Sequence, residues 1–412
     1  MRWRRRDDAM KSRMDTMRWG QRNRSKPTSI LGTLFDRPFR WERVRLDPVI
    51  LSVTVALALT GLVMVFSTSG VLAENRYREP THYLQRQALW LSVGFVALLF
   101  MARQDYRVLK SWTPALVMIS MGLLIAVLFA GRKINGAHRW LTMAGLSVQP
   151  SELAKVSLVV YLAAYLHKLD LSQAGWREIV LRPACVVGIM AALMVAEPDY
   201  GNAALIGLVF LGMVYLAGAP IRCLMVVGGA MVLSLGLLIR LSPERWERIV
   251  TFLDPFADAR GAGYQLTQSL YAFGHGGWIG VGLGHGKQKL FYLPEGHTDF
   301  VFALIGEELG LLGTAALLAL YGVLVAKGLS VAVQTSDAFG RLLAQGITLL
   351  IGGQALINVG VVCGLLPTKG LPLPLVSYGG SSAVMSLLAL GILLSIAKEC
   401  PSHSCGRMRG RP

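Results

Sequence analysis

Charged residues are scarce in this chain of 412 residues: Asp, Glu, Lys and Arg make up 16% of it, and hydrophobic residues make up 53%. A soluble globular domain carries about 25% charged residues. The charged residues are also unevenly distributed along the chain. Long stretches have none, and most charged residues lie in short connections and at the two ends. This distribution excludes an ordinary soluble fold and indicates an integral membrane protein.

The alternation of apolar and polar residues that a membrane β-barrel requires is also lacking. Instead, ten apolar windows have roughly the length with which an α-helix crosses the hydrocarbon core. Because backbone groups in lipid find no water, such windows must be helices, which predicts an all-α, polytopic integral membrane protein with about ten transmembrane helices. The windows run near 48–68, 84–102, 112–130, 149–167, 183–196, 202–218, 221–241, 300–326, 341–363 and 381–398.

Acidic residues are outnumbered, 24 against 41 Lys and Arg, for a net charge of +17. In a soluble protein this balance would suggest nucleic acid, but residues 1–46 hold fourteen of the cations and show no folded core. We therefore predict a basic, disordered cytoplasmic tail over 1–47 that is drawn to anionic lipids, and no nucleic-acid partner. The membrane domain spans 48–398, and 399–412 form a short tail that is also cytoplasmic.

Cysteine is sparse, with five residues in the chain. Cys400 and Cys405 flank His403 in the C-terminal tail, but this spacing fits no strong metal-binding pattern. A reduced cytosolic tail is the favoured interpretation, with a metal site as the alternative.

Three connections are expected on the outer side: 131–148, 242–299 and 364–380. The second is far longer than an ordinary connection, which favours a functional role. Its apolar residues at near-helical spacing, followed by a Gly-rich stretch over 274–286, predict an amphipathic helix and tight turns on the membrane surface. The helical residues are Tyr264, Leu266, Leu270, Tyr271 and Phe273.

The apolar window at 183–196 is short, and Pro198 ends it. A proline cannot continue a helical ladder. Two interpretations stay open: an interrupted helix that lines a cavity, or a simple short loop between two helices.

Ionisable residues at membrane depth cost a few kcal/mol or more and need a reason. Glu152 and Lys155 lie three residues apart on one helical face, as a self-neutralising pair or as a polar wall in a cavity. Arg139 lies on an outer connection, where its planar fork suits phosphate. A snorkelling cluster is the alternative, but outward cations run against the positive-inside trend and favour an anionic ligand.

Two further groups of acidic residues lie near expected helix ends. Glu197 and Asp199 flank Pro198, while His297 and Asp299 end the longest connection, two turns before Glu307 and Glu308. Asp299 could simply cap the following helix. A carboxylate at a semi-apolar boundary can also have a raised pKa and act as a base.

Seven strings, in this order, resemble the SEDS family of cell-wall polymerases, named for shape, elongation, division and sporulation. They span 135–382, and the helix layout extends the resemblance to 48–398. Each string alone is modest, and the ordered set is specific. The strings are NGAHRW (135–140), QPSELAK (149–155), EPDYG (197–201), GYQLTQS (263–269), PEGHTDF (294–300), IGEELG (305–310) and LPTKGLPLPLVSYGGSS (366–382).

Within the family, Thr368-Lys369-Gly370 and Ser381-Ser382 resemble the division branch more than the elongation branch. The long basic N-terminal tail also suits the division branch. One departure is Glu197, where the family more often has Gln.

The resemblance implies a peptidoglycan glycosyltransferase that polymerises lipid II and releases undecaprenyl pyrophosphate. It implies that Asp299 is the essential carboxylate, acting as base toward the acceptor hydroxyl. His297 would orient it, and Arg139 and Lys369 would contact pyrophosphate. No cofactor is certain, although a divalent cation (Mg or Mn) could assist. Expected substrate-binding residues are Arg139, Glu152, Lys155, Asp199, His297, Lys369 and Ser377.

By the same resemblance, the expected partners are a class B penicillin-binding protein with transpeptidase activity, other division proteins and membrane lipids, at the division septum. Three alternatives stay open: a flippase for lipid II, an elongation polymerase, and a scaffold that recruits partners. The absence of an inverted repeat argues against a transporter.

Overall fold

The protein is described by a computed structural model over residues 46–134, 137–143, 146–169 and 175–399. Within these ranges it forms twelve α-helices and one small sheet. The helices are α1 (Pro48–Tyr77), α2 (His82–Arg103), α3 (Val108–Ala130), α4 (Pro150–Leu166), α5 (Arg182–Ala196), α6 (Tyr200–Leu216), α7 (Ile221–Arg240), α8 (Pro243–Leu253), α9 (Tyr264–Gly276), α10 (Val301–Gln334), α11 (Ala338–Val362) and α12 (Gly380–Ala397).

Eight helices are long and apolar enough to cross a membrane. They are α1, α2, α3, α5 with the π-helical turn Arg177–Leu181 before it, α7, α10, α11 and α12. Helices α4 and α6, of 17 residues each, occupy the two remaining apolar windows. The predicted multi-pass helical membrane fold is therefore confirmed, with a helix in each of the ten windows.

Each crossing reverses the chain, so the connections 131–149, 197–199, 241–300 and 363–379 emerge at one end of the bundle, here called the site end. Hydrogen bonds join these connections to one another. Arg139 donates to the backbone carbonyls of Glu197 and Pro198, and the Tyr378 N–H donates to the His297 carbonyl at 3.0 Å. The site end is a bonded assembly of loops.

The sequence left two interpretations for the short apolar window before Pro198, and the structure has the simpler one. The π-helical turn extends the segment back to Arg177, giving twenty residues before the chain turns at 197–199. Helices α5 and α6 are thus separate helices joined by a short loop, and the break at membrane depth lies elsewhere.

That break is at Gly310 in α10, where φ is 65° and ψ is −164°. The Gly-rich segment after α9 satisfies the backbone groups that the kink releases. The Leu311 N–H donates to the Gly277 carbonyl at 2.9 Å, and the Val281 N–H donates to the Glu307 carbonyl at 3.0 Å. The Gly-rich stretch therefore docks on a broken helix by backbone pairing, which its lack of side chains permits.

Helix α9 does not simply lie on the membrane surface as predicted. Leu266, Ser269 and Ala272 are buried, and the Ser269 hydroxyl donates to the Val362 carbonyl at 2.7 Å at the end of α11. The amphipathic helix of the connection packs its apolar face on the bundle, while α8 keeps an exposed apolar face.

The segment 371–377 is irregular yet buried, and its carbonyls accept hydrogen bonds from side chains on three helices. Asn358 donates to Leu371 at 2.7 Å and Gln354 to Pro372 at 2.8 Å. Tyr321 donates to the Pro374 carbonyl and Gln87 to the Ser377 carbonyl. Irregular backbone inside a membrane protein requires such internal partners. These donors lie on α2, α10 and α11. On α1, Gly61 has no Cβ and so leaves room for the Leu375 carbonyl.

A small antiparallel sheet that the sequence did not suggest fills the connection 131–148. Its strands are β1 (Arg132–Ile134), β2 (Ala137–Met143) and β3 (Leu146–Val148), in the order β1-β2-β3. A search for windows of about twenty apolar residues does not detect strands of three to seven residues.

Several predictions fall outside the described residues. These are the disordered tail up to residue 45, Asn135 and Gly136 of the first family string, and the C-terminal tail from Cys400, including His403 and Cys405. They stay predictions.

We predict that Gly310→Ala destabilises the protein by about 2 kcal/mol or more, because an alanine there is strained at positive φ and its Cβ would overlap the Gly280 nitrogen. Thermal unfolding in detergent would measure the loss. Gly322→Ala, in the same helix with no atom within 4 Å of the added Cβ, is the matched control. Equal melting temperatures for the two variants would contradict the docking of the Gly-rich segment.

Candidate active site

Asp199 caps the N-terminus of α6, and its carboxylate accepts hydrogen bonds from neutral side chains. Its carboxylate accepts from the Asn202 amide at 2.8 Å, from the Ser151 hydroxyl at 3.1 Å and from the Gln149 amide at 3.1 Å. The side chain is buried. Asp199 thus ties the start of α6 to the start of α4, and it contributes a fixed negative charge to the site end.

Arg139 reaches across from β2 to the turn between α5 and α6. Its Nε donates to the Glu197 carbonyl at 3.1 Å, and its Nη2 donates to the Pro198 carbonyl at 2.5 Å. Two of the five guanidinium donors are therefore used on backbone. The residue is half-buried, so it positions a cation at the site and keeps other donors for a ligand.

Glu197 is the departure from the family pattern, and its environment is unusual. The side chain is 0% exposed, and neither carboxylate oxygen has a hydrogen-bond partner. Burial and, to a lesser degree, the charge of Asp199 raise its pKa to about 8, although Arg139 opposes the rise. Glu197 is therefore protonated at neutral pH, where it resembles the amide that the family more often has.

Asp299 lies at the end of the turn 294–299, one residue before the cap of α10. The turn is held by the Asp299 N–H, which donates to the Glu295 carbonyl at 3.1 Å, and by Asn358, which donates to the Asp299 carbonyl at 2.8 Å. The carboxylate faces Gly370, where an added Cβ would lie 2.6 Å from its Oδ2. No side chain larger than that of glycine fits there without displacing Asp299.

The half-buried Asp299 carboxyl has a pKa raised to about 7. Burial is the main cause, and the negative charges of Glu295 and Asp199 add to it, while Arg139 lowers the pKa. The structure thus brings the charges of Asp199, Arg139 and Glu295 together around Asp299. A carboxyl with a pKa near neutrality suits a general base.

Lys369 and His297 flank Asp299 on different segments. The Lys369 ammonium lies 5.0 Å from the centre of the Tyr200 ring, at the start of α6. The ring of His297 packs against Tyr83, with centroids 5.2 Å apart, and against Tyr378 at 5.8 Å. Burial lowers the pKa of His297 despite the opposing effect of Glu295, so the ring is neutral at pH 7.

Glu152 and Lys155 form a buried pair, with Nζ and Oε1 2.9 Å apart and both side chains at most 3% exposed. Lys155 also donates to Gln354 at 2.8 Å, and Gln354 donates to the Pro372 carbonyl at 2.8 Å. The arrangement corresponds to the self-neutralising pair, and a role as the polar wall of a cavity stays a prediction. Through Gln354, the pair also supports the segment 371–377.

Ser377, another expected substrate contact, is as little exposed as Asp199. It is buried, and its hydroxyl accepts from the Leu373 N–H at 2.8 Å. Its observed contact stabilises the irregular segment 371–377.

Glu307 and Glu308 anchor the end of the Gly-rich segment. Glu307 accepts from the Lys287 N–H at 2.8 Å. Glu308 pairs with Lys289 at 2.8 Å and accepts from Ser67 of α1. Backbone N–H groups thus satisfy Glu307, and a lysine and a serine satisfy Glu308.

In the part of the chain that the structure describes, no three His, Cys, Asp or Glu side chains are grouped so that they could hold a metal ion. The described donors therefore do not form a ready-made divalent cation site, and we assign no step to a metal.

Three residues of the site were not among those expected from the sequence. Glu295 and Gly370 lie within strings that resemble the family but were not expected as site residues, and Asn358 lies in an apolar window. Polar residues in apolar windows could have signalled Asn358, because an amide at membrane depth needs a partner. The hydrogen bond from Asn358 to the Asp299 carbonyl could not be predicted, because the two residues are 59 positions apart in the chain.

These features define a class: a multi-pass helical membrane protein with a partly buried carboxyl, close to one arginine and two further carboxylates, at one end of the bundle. Comparison with known proteins supplies the family. Residues 48–401 match the family described as "Cell cycle protein", which takes in FtsW, RodA and SpoVE. The chain belongs to this family.

Curated relatives match over nearly their whole length. The probable peptidoglycan glycosyltransferase FtsW of Alkalilimnicola ehrlichii is 43% identical over 364 residues, covering 87% of this chain and 90% of the relative. The protein of the same name from Coxiella burnetii is 41% identical over 358 residues, covering 86% and 96%.

Solved structures share the fold. A chain from work described as "Structural coordination of polymerization and crosslinking by a peptidoglycan synthase complex" matches with a TM-score of 0.73 at 30% identity, covering 86% of this chain and 98% of that chain. The rod shape determining protein RodA of Thermus thermophilus matches with a TM-score of 0.66 at 28% identity, covering 87% and 98%.

We predict that Glu197→Gln stabilises the protein above neutral pH. Because the folded pKa of Glu197 is raised from 4.5 to about 8, folding binds a proton between these values, and stability falls as pH rises through that window. Melting temperatures from pH 5 to 9 should separate by several degrees, with the larger gap at alkaline pH. A constant gap would contradict the assignment.

We also predict that Lys155→Met costs about 3–5 kcal/mol, because it leaves Glu152 buried and unpaired. The double variant Glu152→Gln with Lys155→Met should recover most of the loss. Thermal unfolding of the wild type, both single variants (Lys155→Met and Glu152→Gln) and the double variant would complete the cycle, and additive losses would show that the two side chains do not interact.

Proposed function

We propose that this chain is a peptidoglycan glycosyltransferase that polymerises lipid II into glycan strands and releases undecaprenyl pyrophosphate. The observation that carries the proposal is the convergence of four connections at the Asp299 carboxyl, with the charge of Arg139 acting on it and Lys369 next in the chain to Gly370, which the carboxyl faces. The names of the relatives that match along their whole length agree with this activity.

In the proposed reaction, Asp299 accepts the proton of the 4-hydroxyl of the acceptor sugar. That oxygen forms a bond to the anomeric carbon of the lipid-linked donor, and the bond from this carbon to the pyrophosphate oxygen breaks. The electron pair leaves with undecaprenyl pyrophosphate, whose charge Arg139 and Lys369 stabilise. Asp299 then releases its proton to water.

The remaining residues support this arrangement. Asp199 and Glu295 keep the pKa of Asp299 high enough for it to take up a proton near neutrality. The Glu152–Lys155 pair holds the segment after Lys369 through Gln354, which donates to the Pro372 carbonyl. His297, packed between two tyrosines, fixes the turn and so orients Asp299.

We propose that the site end faces outward from the cytoplasmic membrane, because fourteen cations precede α1 and should stay inside. The similar chain in a peptidoglycan synthase complex supports a class B penicillin-binding protein as partner, which would crosslink the new strands. The FtsW names of the relatives support a role at the division septum. A fluorescent fusion that spreads along the side wall would contradict that location.

We predict that Asp299→Asn reduces polymerisation of labelled lipid II at least about 100-fold, because the amide cannot accept the acceptor proton. The assay uses full-length protein reconstituted with its transpeptidase partner. Glu247→Gln, which removes an exposed carboxylate from α8 in the same connection, is the matched control. Full activity of a folded Asp299→Asn variant would remove the base assignment.

The pH dependence gives an independent test of the same assignment. Because the base form of Asp299 requires loss of its proton, the rate should rise with pH, with an inflection near 7 and not near the ordinary value of 3.8. Measurement of kcat/KM from pH 5 to 9 would locate the inflection. A flat profile through neutrality would contradict the raised pKa.

A flippase is the main rival activity. It would move lipid II across a vesicle membrane without lengthening glycan. The same reconstituted vesicles distinguish the two, because a flippase yields translocated precursor and no polymer when Asp299 is intact.

A further inference from the structure

A cavity lies beside the turn 294–299. It has a volume of about 380 Å³ and is bounded by α1, the start of α2 and the segment 289–297. Thr68, Leu72 and Arg76 of α1 line it at intervals of four residues, so they share one helical face. None of the residues considered so far as contacts for the leaving pyrophosphate lines this cavity.

The lining combines aromatic rings with polar groups. Tyr83, Phe291 and His297 contribute rings, and the rings of Tyr83 and His297 have centroids 5.2 Å apart. Ring faces carry partial negative charge and attract the C–H edges of a ligand, such as the apolar face of a sugar. Glu295 contributes an acceptor to the same wall.

The cations of the cavity differ in availability. Lys289 is paired with Glu308 at 2.8 Å, and both side chains are at most 7% exposed. Arg76 is exposed at the end of α1, where its guanidinium can bind phosphate in a bidentate manner. Rings at the wall and a guanidinium at the rim together match a sugar phosphate.

The cavity adjoins the proposed base through a shared turn. Glu295 and His297 line the cavity, while Asp299, in the same turn, faces Gly370 and the charges of Arg139 and Asp199. Two non-glycine residues of the wall, Phe291 and Glu295, have positive φ values of 68° and 52°. Strain of this kind concentrates at functional sites.

Polymerisation joins two lipid-linked sugars, so the base must lie between two binding places. Arg139 and Lys369 are placed to stabilise the leaving pyrophosphate, which belongs to the donor. We infer that the cavity of Arg76, Tyr83, Phe291 and His297 binds the sugar and phosphate of the acceptor, and presents its hydroxyl to Asp299 across the turn. This inference rests on the proposed function.

The test uses the full-length chain in lipid nanodiscs with its transpeptidase partner. A preformed lipid-linked glycan is the donor, and fluorescent lipid II is titrated as the acceptor. Arg76→Gln and Tyr83→Leu should each raise the KM for the acceptor about tenfold, with the KM for the donor unchanged within about twofold. Arg78→Gln, an exposed arginine two residues beyond Arg76 that does not line the cavity, is the matched control.

Substitutions in a wall can impair folding, so a second measurement keeps the test decisive. A photoactivatable phenylalanine analogue in place of Phe291 should crosslink to lipid II on irradiation, and unlabelled lipid II should compete. An unchanged acceptor KM in Arg76→Gln together with no crosslink overturns the inference, as does weaker binding of the transpeptidase at an unchanged acceptor KM. Absence of polymer from the wild type would instead contradict the proposed function.

Discussion

Backbone carbonyls at membrane depth have no water from which to accept hydrogen bonds, and the site end depends on how this chain meets that constraint. The segment 371–377 is irregular and buried, so Asn358, Gln354, Gln87 and Tyr321 supply the missing donors. Asn358 donates to the Asp299 carbonyl as well. One amide therefore fixes the distance between the proposed base and the segment of Lys369.

The same constraint explains the second irregular feature. The kink at Gly310 releases backbone groups of α10 that the Gly-rich segment satisfies. Side-chain donors, three amides and a tyrosine hydroxyl, stabilise the segment 371–377. Backbone hydrogen bonds stabilise the Gly-rich segment instead. Together they allow loops to enter the bundle, where the pKa of a carboxyl rises through burial.

Much of the architecture could be predicted from the sequence, because each of the ten apolar windows of about the length of a membrane crossing contains a helix in the structure. The clusters around Arg139, Asp199 and Asp299 were also predictable, because charges at apolar boundaries stand out. Contacts over long chain separations were not. Nothing local indicates that Gly370 faces Asp299, that Asn358 bridges two loops, or that the connection before α4 folds into a sheet. The inward turn of Ser377 likewise depends on tertiary packing.

The proposed orientation exposes the site end to the pH of the medium outside the cytoplasmic membrane. Cells hold the pH of their cytoplasm nearly constant, but the compartment beyond the membrane follows the growth medium. In the proposed orientation, Asp299 and Glu197, with pKa values of about 7 and 8, face that unbuffered side. With Asp299 as the proposed base, its burial would make the rate of glycan polymerisation depend on the external pH, and Glu197 would extend the pH dependence of the site into mildly alkaline media.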